Sequence, residues 1–234
     1  MHNARPRIAR PRAWRDKAAI VTGAQALSAA SDAVTTASRA PAVGEEELLR
    51  AGYYRLLAAL LSAPPDHRLL GRLAGVAAAA DGFGQTLGLL ARAALATAPE
   101  KAAGEFQDLF IGLSGGELVP YGSYYLSGFL HERPLARLRA DLRALGLARP
   151  DTVKEPEDGI ASLCEIMAAL IEGLAGAPAS IDSQRKFFEA HLAPWAGRFF
   201  ADLEKAERAD FYRAVGTLGR RFIEIESEAF ILPA

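Results

Sequence analysis

Cysteine occurs once in the 234 residues, at Cys164, so no intrachain disulfide and no cysteine-based zinc site can form, in keeping with a reducing compartment. No apolar run approaches the roughly 18 to 20 residues needed to span a bilayer, which excludes stable insertion as a membrane helix. The four histidines, His2, His67, His131 and His191, are scattered, and none has a second His at ligand spacing. No His-Glu-x-x-His, no Glu-x-x-His and no phosphate-cradling Gly-x-x-x-x-Gly-Lys-Ser/Thr occurs. No metal and no cofactor is therefore expected. An excess of charge is also missing: 27 Lys and Arg against 28 Asp and Glu leave a net −1, which argues against a basic nucleic-acid binder.

What is present is an uneven division of that charge. Residues 1–43 hold seven basic and two acidic side chains, a net +5, while the remaining 191 residues hold 20 and 26, a net −6. The first segment is rich in Arg, Ala, Ser and Thr with little to bury, and it reads as a disordered extension. Its apolar stretch, Ala18 to Val21, is too short for a secretory signal, and it has no adjacent Arg pair. An Arg-rich, acid-poor organelle transit peptide is a competing reading. Lys17-Ala-Ala-Ile-Val-Thr-Gly-Ala24 resembles the opening of a short-chain dehydrogenase. Leu27 and Ala29, however, stand where the dinucleotide loop needs glycine, and no Tyr-x-x-x-Lys pair follows anywhere.

From Glu45 onward the apolar spacing is helical. Leu48/Leu49, Tyr53, Leu56/Leu57 and Leu60/Leu61 give a first stripe, ended by Ser62-Ala-Pro-Pro-Asp66, where Asp66 is placed to cap the next helix. Further helices are expected over about 67–80, 84–97 and Pro99 to Ile111. Another follows Pro134 through Leu135, Leu138 and Leu142 to Gly146, and another runs along Ile160, Leu163/Cys164, Met167 and Leu170/Ile171. A pair is broken around Pro194, and a last helix carries Phe211, Val215, Leu218, Phe222 and Ile225. No segment alternates with period two, and no solenoid repeat is visible. The fold class is all-α: a single helical bundle of about eight to ten helices over residues 44–234, behind an extension over 1–43. His191 is expected to be partly buried and hydrogen-bonded, and Cys164 to be a small core residue rather than a reactive thiol.

Two segments are not explained by helix building. Glu105-Phe-Gln-Asp-Leu-Phe-Ile-Gly112 followed by Val119-Pro-Tyr-Gly-Ser-Tyr-Tyr125 is either a loop that covers the core or an aromatic-walled peptide groove. Glu155-Pro156-Glu157-Asp158 is either the acidic first turn of a helix, favoured by the helix dipole, or a carboxylate cluster for an Arg-bearing ligand.

Taken with Phe187-Phe-Glu-Ala-His-Leu-Ala-Pro-Trp195, these segments resemble the TorD/DmsD/NarJ family of chaperones for molybdenum-containing redox enzymes, in family order over roughly residues 45–232. The Leu163-Cys164-Glu165-Ile166-Met167 run and the Phe187-Phe188 to Trp195 stretch resemble members associated with formate dehydrogenase. The resemblance implies binding rather than catalysis. It implies a cytoplasmic chaperone whose partner is the apo catalytic subunit of such an enzyme, its twin-arginine signal peptide, or both, held until cofactor insertion and before Tat export. It implies client contacts at Phe110, Pro120, Ser123, Tyr125, Glu155, Pro156 and Asp158. Two positions depart from the family pattern: Gly159 stands where a His is usual, and Leu163 where a Glu is usual. Residues 1–43 have no counterpart in the resemblance, and a start codon assigned too far upstream would account for them. A helical hydrolase using Glu155, Glu157 or Asp158 and an adaptor for a folded partner stand as alternatives. Monomer and homodimer are both open.

Overall fold

The computed structural model describes residues 43–76, 82–112, 115–147, 155–173 and 178–231. The expected extension over 1–43 falls almost wholly outside them. Ten helices form among the described residues: α1 (Glu45–Ser62), α2 (His67–Ala74), α3 (Gly82–Leu95), α4 (Pro99–Phe110), α5 (Gly122–Ser127), α6 (Arg133–Ala144), α7 (Ile160–Glu172), α8 (Ile181–His191), α9 (Ala196–Lys205) and α10 (Phe211–Ile231). The all-α expectation holds, and an isolated bridge between Tyr121 and Gly159 is the nearest approach to a strand there.

Punctuation read from the sequence is visible in the helix ends. Asp66 caps α2 by accepting the Leu69 amide at 2.8 Å. Pro99 and Pro134 each sit in a first turn, where a missing amide hydrogen matters least. Gly146 takes a left-handed φ of 72° just past α6. Helix α2 stops earlier than the apolar pattern suggests, at Ala74, and residues 77–80 of that expectation lie outside the described residues.

Helix α1 lies along α7, and α10 crosses α1, α3, α4 and α9. The core is built from the expected Leu and aromatic faces, with Trp195, Tyr54, Tyr212 and Phe199 among its largest fully enclosed side chains. The start of the α1 stripe differs from expectation: Leu48 and Leu49 are exposed, and Tyr54 rather than Tyr53 is fully buried. The contact between α9 and α10 is close because Gly216 and Gly219 offer no Cβ. An added methyl would meet the Glu204 backbone at 2.6 Å in one case and the Phe200 ring at 2.2 Å in the other.

A smaller group, α5, α6 and α8, is attached to α7. Its helices meet less extensively than those of the main body, and a cleft opens between them.

Candidate functional site

The cleft is made by the two segments that helix building left unexplained. Tyr121 lies beside Gly159 in the antiparallel bridge. The Gly122 amide donates to the Asp158 carbonyl at 2.9 Å, and the Ile160 amide donates to the Pro120 carbonyl at 3.0 Å. This backbone pairing seats Asp158 at the start of α5, where its Oδ2 accepts the Ser123 amide at 2.7 Å. Gly122 fits closely there: a Cβ would lie 3.0 Å from the Trp195 indole nitrogen, and the ring would have to shift by a few tenths of an ångström.

Asp158 is 3% exposed and Ser123 is fully enclosed. Neither the second carboxylate oxygen of Asp158 nor the Ser123 hydroxyl has a hydrogen-bond partner. A buried polar group without a partner costs about 1–3 kcal/mol, so this corner is suited to a donor brought by a ligand. Asp158 lines a cleft of about 320 Å³ with an apolar floor that includes Leu126, Leu138, Leu163 and Trp195. Arg133, Arg137 and His191 also reach it.

Each residue expected at the site can now be placed. Ser123 and Asp158 come together. Pro120 contributes its carbonyl to the pairing with Ile160. Tyr125 packs on Trp195 and Phe199, with ring centroids 5.4 and 6.0 Å away, and its hydroxyl donates to Asp202 at 2.9 Å. Burial, with the Asp202 carboxylate adding to it, keeps that phenol protonated well above its ordinary range. Phe110 points elsewhere, into an aromatic cluster with Phe106, Phe199 and Tyr212. Glu155 and Pro156 lie in the turn before Gly159, Glu155 exposed and Pro156 half-buried.

The reading of Glu155–Asp158 as a first helical turn is corrected. Helix α7 starts at Ile160 with Gly159 as its N-cap, and the carboxylates precede it. Nor do they act as one cluster, since Glu157 is held by Arg139 at 2.9 and 3.0 Å while Asp158 turns inward to α5.

The Glu105 motif has a structural role. The buried Glu105 carboxylate accepts the amides of Asp210, Phe211 and Tyr212 at 2.7, 3.1 and 2.6 Å and so closes the start of α10. His191 is bonded as expected, with Nε2 2.8 Å from Asp141 Oδ2. Burial holds its pKa below the usual value although Asp141 acts the other way. The Trp195 indole donates to the His191 carbonyl at 2.7 Å, fixing both against the cleft. Cys164 is fully buried, and burial raises its thiol far above the ordinary range. Among the described residues, no group of three or more His, Cys, Asp or Glu is placed to hold a metal ion, and no helix is long and apolar enough to cross a membrane.

Arg133, Arg137 and Trp195 also line the cleft, with no local pattern in the sequence to mark them. Trp195 was readable only as a core aromatic, and the two Arg become neighbours of Asp158 through tertiary packing alone.

The sequence profile of the family described as nitrate reductase delta subunit matches residues 76–201. The chaperone protein TorD of Vibrio cholerae serotype O1 (El Tor Inaba N16961) is 29% identical over 129 residues, which are 52% of this chain and 59% of that protein. A Haemophilus influenzae protein named as a probable Tat proofreading chaperone, DmsD, is 33% identical over 116 residues, 49% of this chain and 54% of that protein. The matches to these curated relatives thus span less than two thirds of their length. The crystal structure of an Archaeoglobus fulgidus protein assigned to redox enzyme maturation has a similar fold, with a TM-score of 0.50 at 20% identity over 83% of this chain and 99% of that one.

Proposed function

The chain belongs to the nitrate reductase delta subunit family, the family of TorD and DmsD, and from that premise we propose that it is a maturation chaperone for a redox enzyme. Its client is the apo catalytic subunit of a molybdenum-containing enzyme, engaged through its twin-arginine leader or another unfolded segment before the cofactor enters. The chaperone acts in the cytoplasm, ahead of any export by the Tat route, and formate dehydrogenase is the client class suggested by the run Leu163–Met167. Its role is to bind, not to catalyse.

The observation that carries this reading is the enclosed corner of Ser123 and Asp158. A carboxylate oxygen and a hydroxyl stand unpartnered beside an apolar cleft. A client guanidinium or amide supplies the donors this corner lacks, in a charge-assisted bond stronger than a neutral one. The apolar floor takes up the neighbouring side chains of an extended or helical segment. The client-facing residues in this reading are Asp158 in the cleft wall with the enclosed Ser123 next to it, Pro120 and Tyr125 behind, and Glu155 and Pro156 beyond its edge. Phe110, which faces the aromatic cluster, supports the α4 end rather than the client.

The test is retention of candidate catalytic subunits by the tagged full chain, together with cofactor content of the same enzymes in a deletion strain. Retention of one apo-subunit and loss of its cofactor on deletion are expected. Normal cofactor loading with no subunit retained would refute the proposal.

A further inference from the structure

Two cations share the cleft with Asp158, and their surroundings say more about what it takes. Arg133 and Arg137 are four residues apart, one turn of α6, and therefore on one side of that helix. Both line the cleft, and neither has a hydrogen-bond or ion-pair partner among the described residues. Two other charges on that helix are committed, Arg139 to Glu157 and Asp141 to His191, while Arg143 in its last turn is not among the residues lining either depression. The start of α6 adds to the positive character, since its first turn holds no acidic residue and Glu132 makes no side-chain cap bond. A second depression continues from the first, sharing Arg137, Ala190 and His191 with it and reaching Lys186, Asp141 and Pro194. The whole is a groove along α6 and α8 with a buried carboxylate and two free guanidinium groups in its first part, and Lys186, Glu189 and the His191-paired Asp141 in its continuation.

A purely cationic segment would satisfy Asp158 and leave Arg133 and Arg137 without counter-charge. A free polyanion would meet those two Arg but would be repelled by Asp158. We infer that the groove recognises a peptide segment carrying charges of both signs: a cation for Asp158 and Ser123, a carboxylate for Arg133 and Arg137, and apolar side chains on the floor between. The inference rests on the reading of the cleft as the client's docking site and adds the acidic residue to what the client must present. The paired Arg spacing on α6 suits a single carboxylate held by two guanidinium groups, an arrangement that orients as well as attracts.

Four synthetic peptides with one shared apolar stretch test this by isothermal titration against the full chain. One carries an Arg pair, one an Asp pair, one both and one neither. The two-sign peptide is expected to bind at least tenfold more tightly than the Arg peptide. The double variant Arg133→Gln/Arg137→Gln changes exposed helical positions to a residue of similar helix propensity. It should erase that gain while the Arg peptide binds no more weakly than before, since two like charges have left the groove, whereas Asp158→Asn should erase the Arg-dependent part alone. Equal affinity of the Arg and two-sign peptides for the unaltered chain would overturn the inference and leave the docking site standing. Binding of inorganic pyrophosphate with no binding of any peptide would overturn both, as would no binding of any kind.

Discussion

Single side chains carry most of the chemistry of this molecule, and they separate into those that hold the fold and those that face the cleft. Replacing Glu105 by Ala strips three amides at the start of α10 of their acceptor. With unmet buried donors at about 1–3 kcal/mol each and partial relaxation, a loss of about 3 kcal/mol is expected in urea denaturation, and Glu105→Gln should lose less. Asp158→Asn, in contrast, keeps an oxygen for the Ser123 amide and should leave the unfolding midpoint nearly unchanged while weakening client binding. His191 sets a pH dependence. Its folded pKa lies below its unfolded value near 6.5, so the unfolded chain takes up the proton first and stability is lost as pH falls through and below that value. A chain with His191→Gln should show a shallower fall between pH 7 and 5 in the same denaturation experiment. The burial of Cys164 was legible in its apolar neighbours, as was the bonding of His191. The role of Glu105 was not, because its three partners lie more than a hundred positions away and a carboxylate capping a distant helix leaves no local pattern.

Helices were legible where a long face is buried and illegible where a tertiary partner makes them. Nine of the ten follow from apolar spacing and from Pro, Gly and Asp punctuation. Helix α5 does not: Gly122-Ser-Tyr-Tyr-Leu-Ser127 is six residues of modest helix propensity, and its start depends on Asp158, brought to it by the pairing of Pro120 with Ile160 and of Gly122 with Asp158. The same pairing explains why α7 starts later than its acidic prelude suggests. Close approach of α9 and α10 was equally hidden, since a glycine within a helical pattern signals weakness until its neighbour is known. Gly219→Ala places a methyl against the Phe200 ring, and overpacking of this kind costs about 1–3 kcal/mol. Thermal unfolding should show the loss with the helical circular dichroism unchanged below the transition.

Across the whole molecule, one buried network ties together the beginning of α1, the beginning of α8 and the end of α10. Arg50 makes paired bonds of 2.8 Å to the enclosed Glu226 and reaches Glu47 and Gln184, while the Tyr54 hydroxyl donates to Glu226 at 2.9 Å. Truncating Arg50 to Ala leaves that carboxylate buried without its cation, which costs about 3–5 kcal/mol. Chemical denaturation should find the domain weakened throughout rather than frayed at one end. The cleft lies at the other end of α8, on the group of α5 and α6 whose helices meet less extensively than those of the main body. Hydrogen exchange of the full chain with and without the apo-subunit proposed as its client tests this arrangement most directly. The account predicts slowed exchange over residues 121–127, 133–138 and 158–164, with the rates of α2 and α3 unchanged. Protection confined to α2 and α3, with the Ser123 and Asp158 segments exchanging as in the free protein, would contradict it.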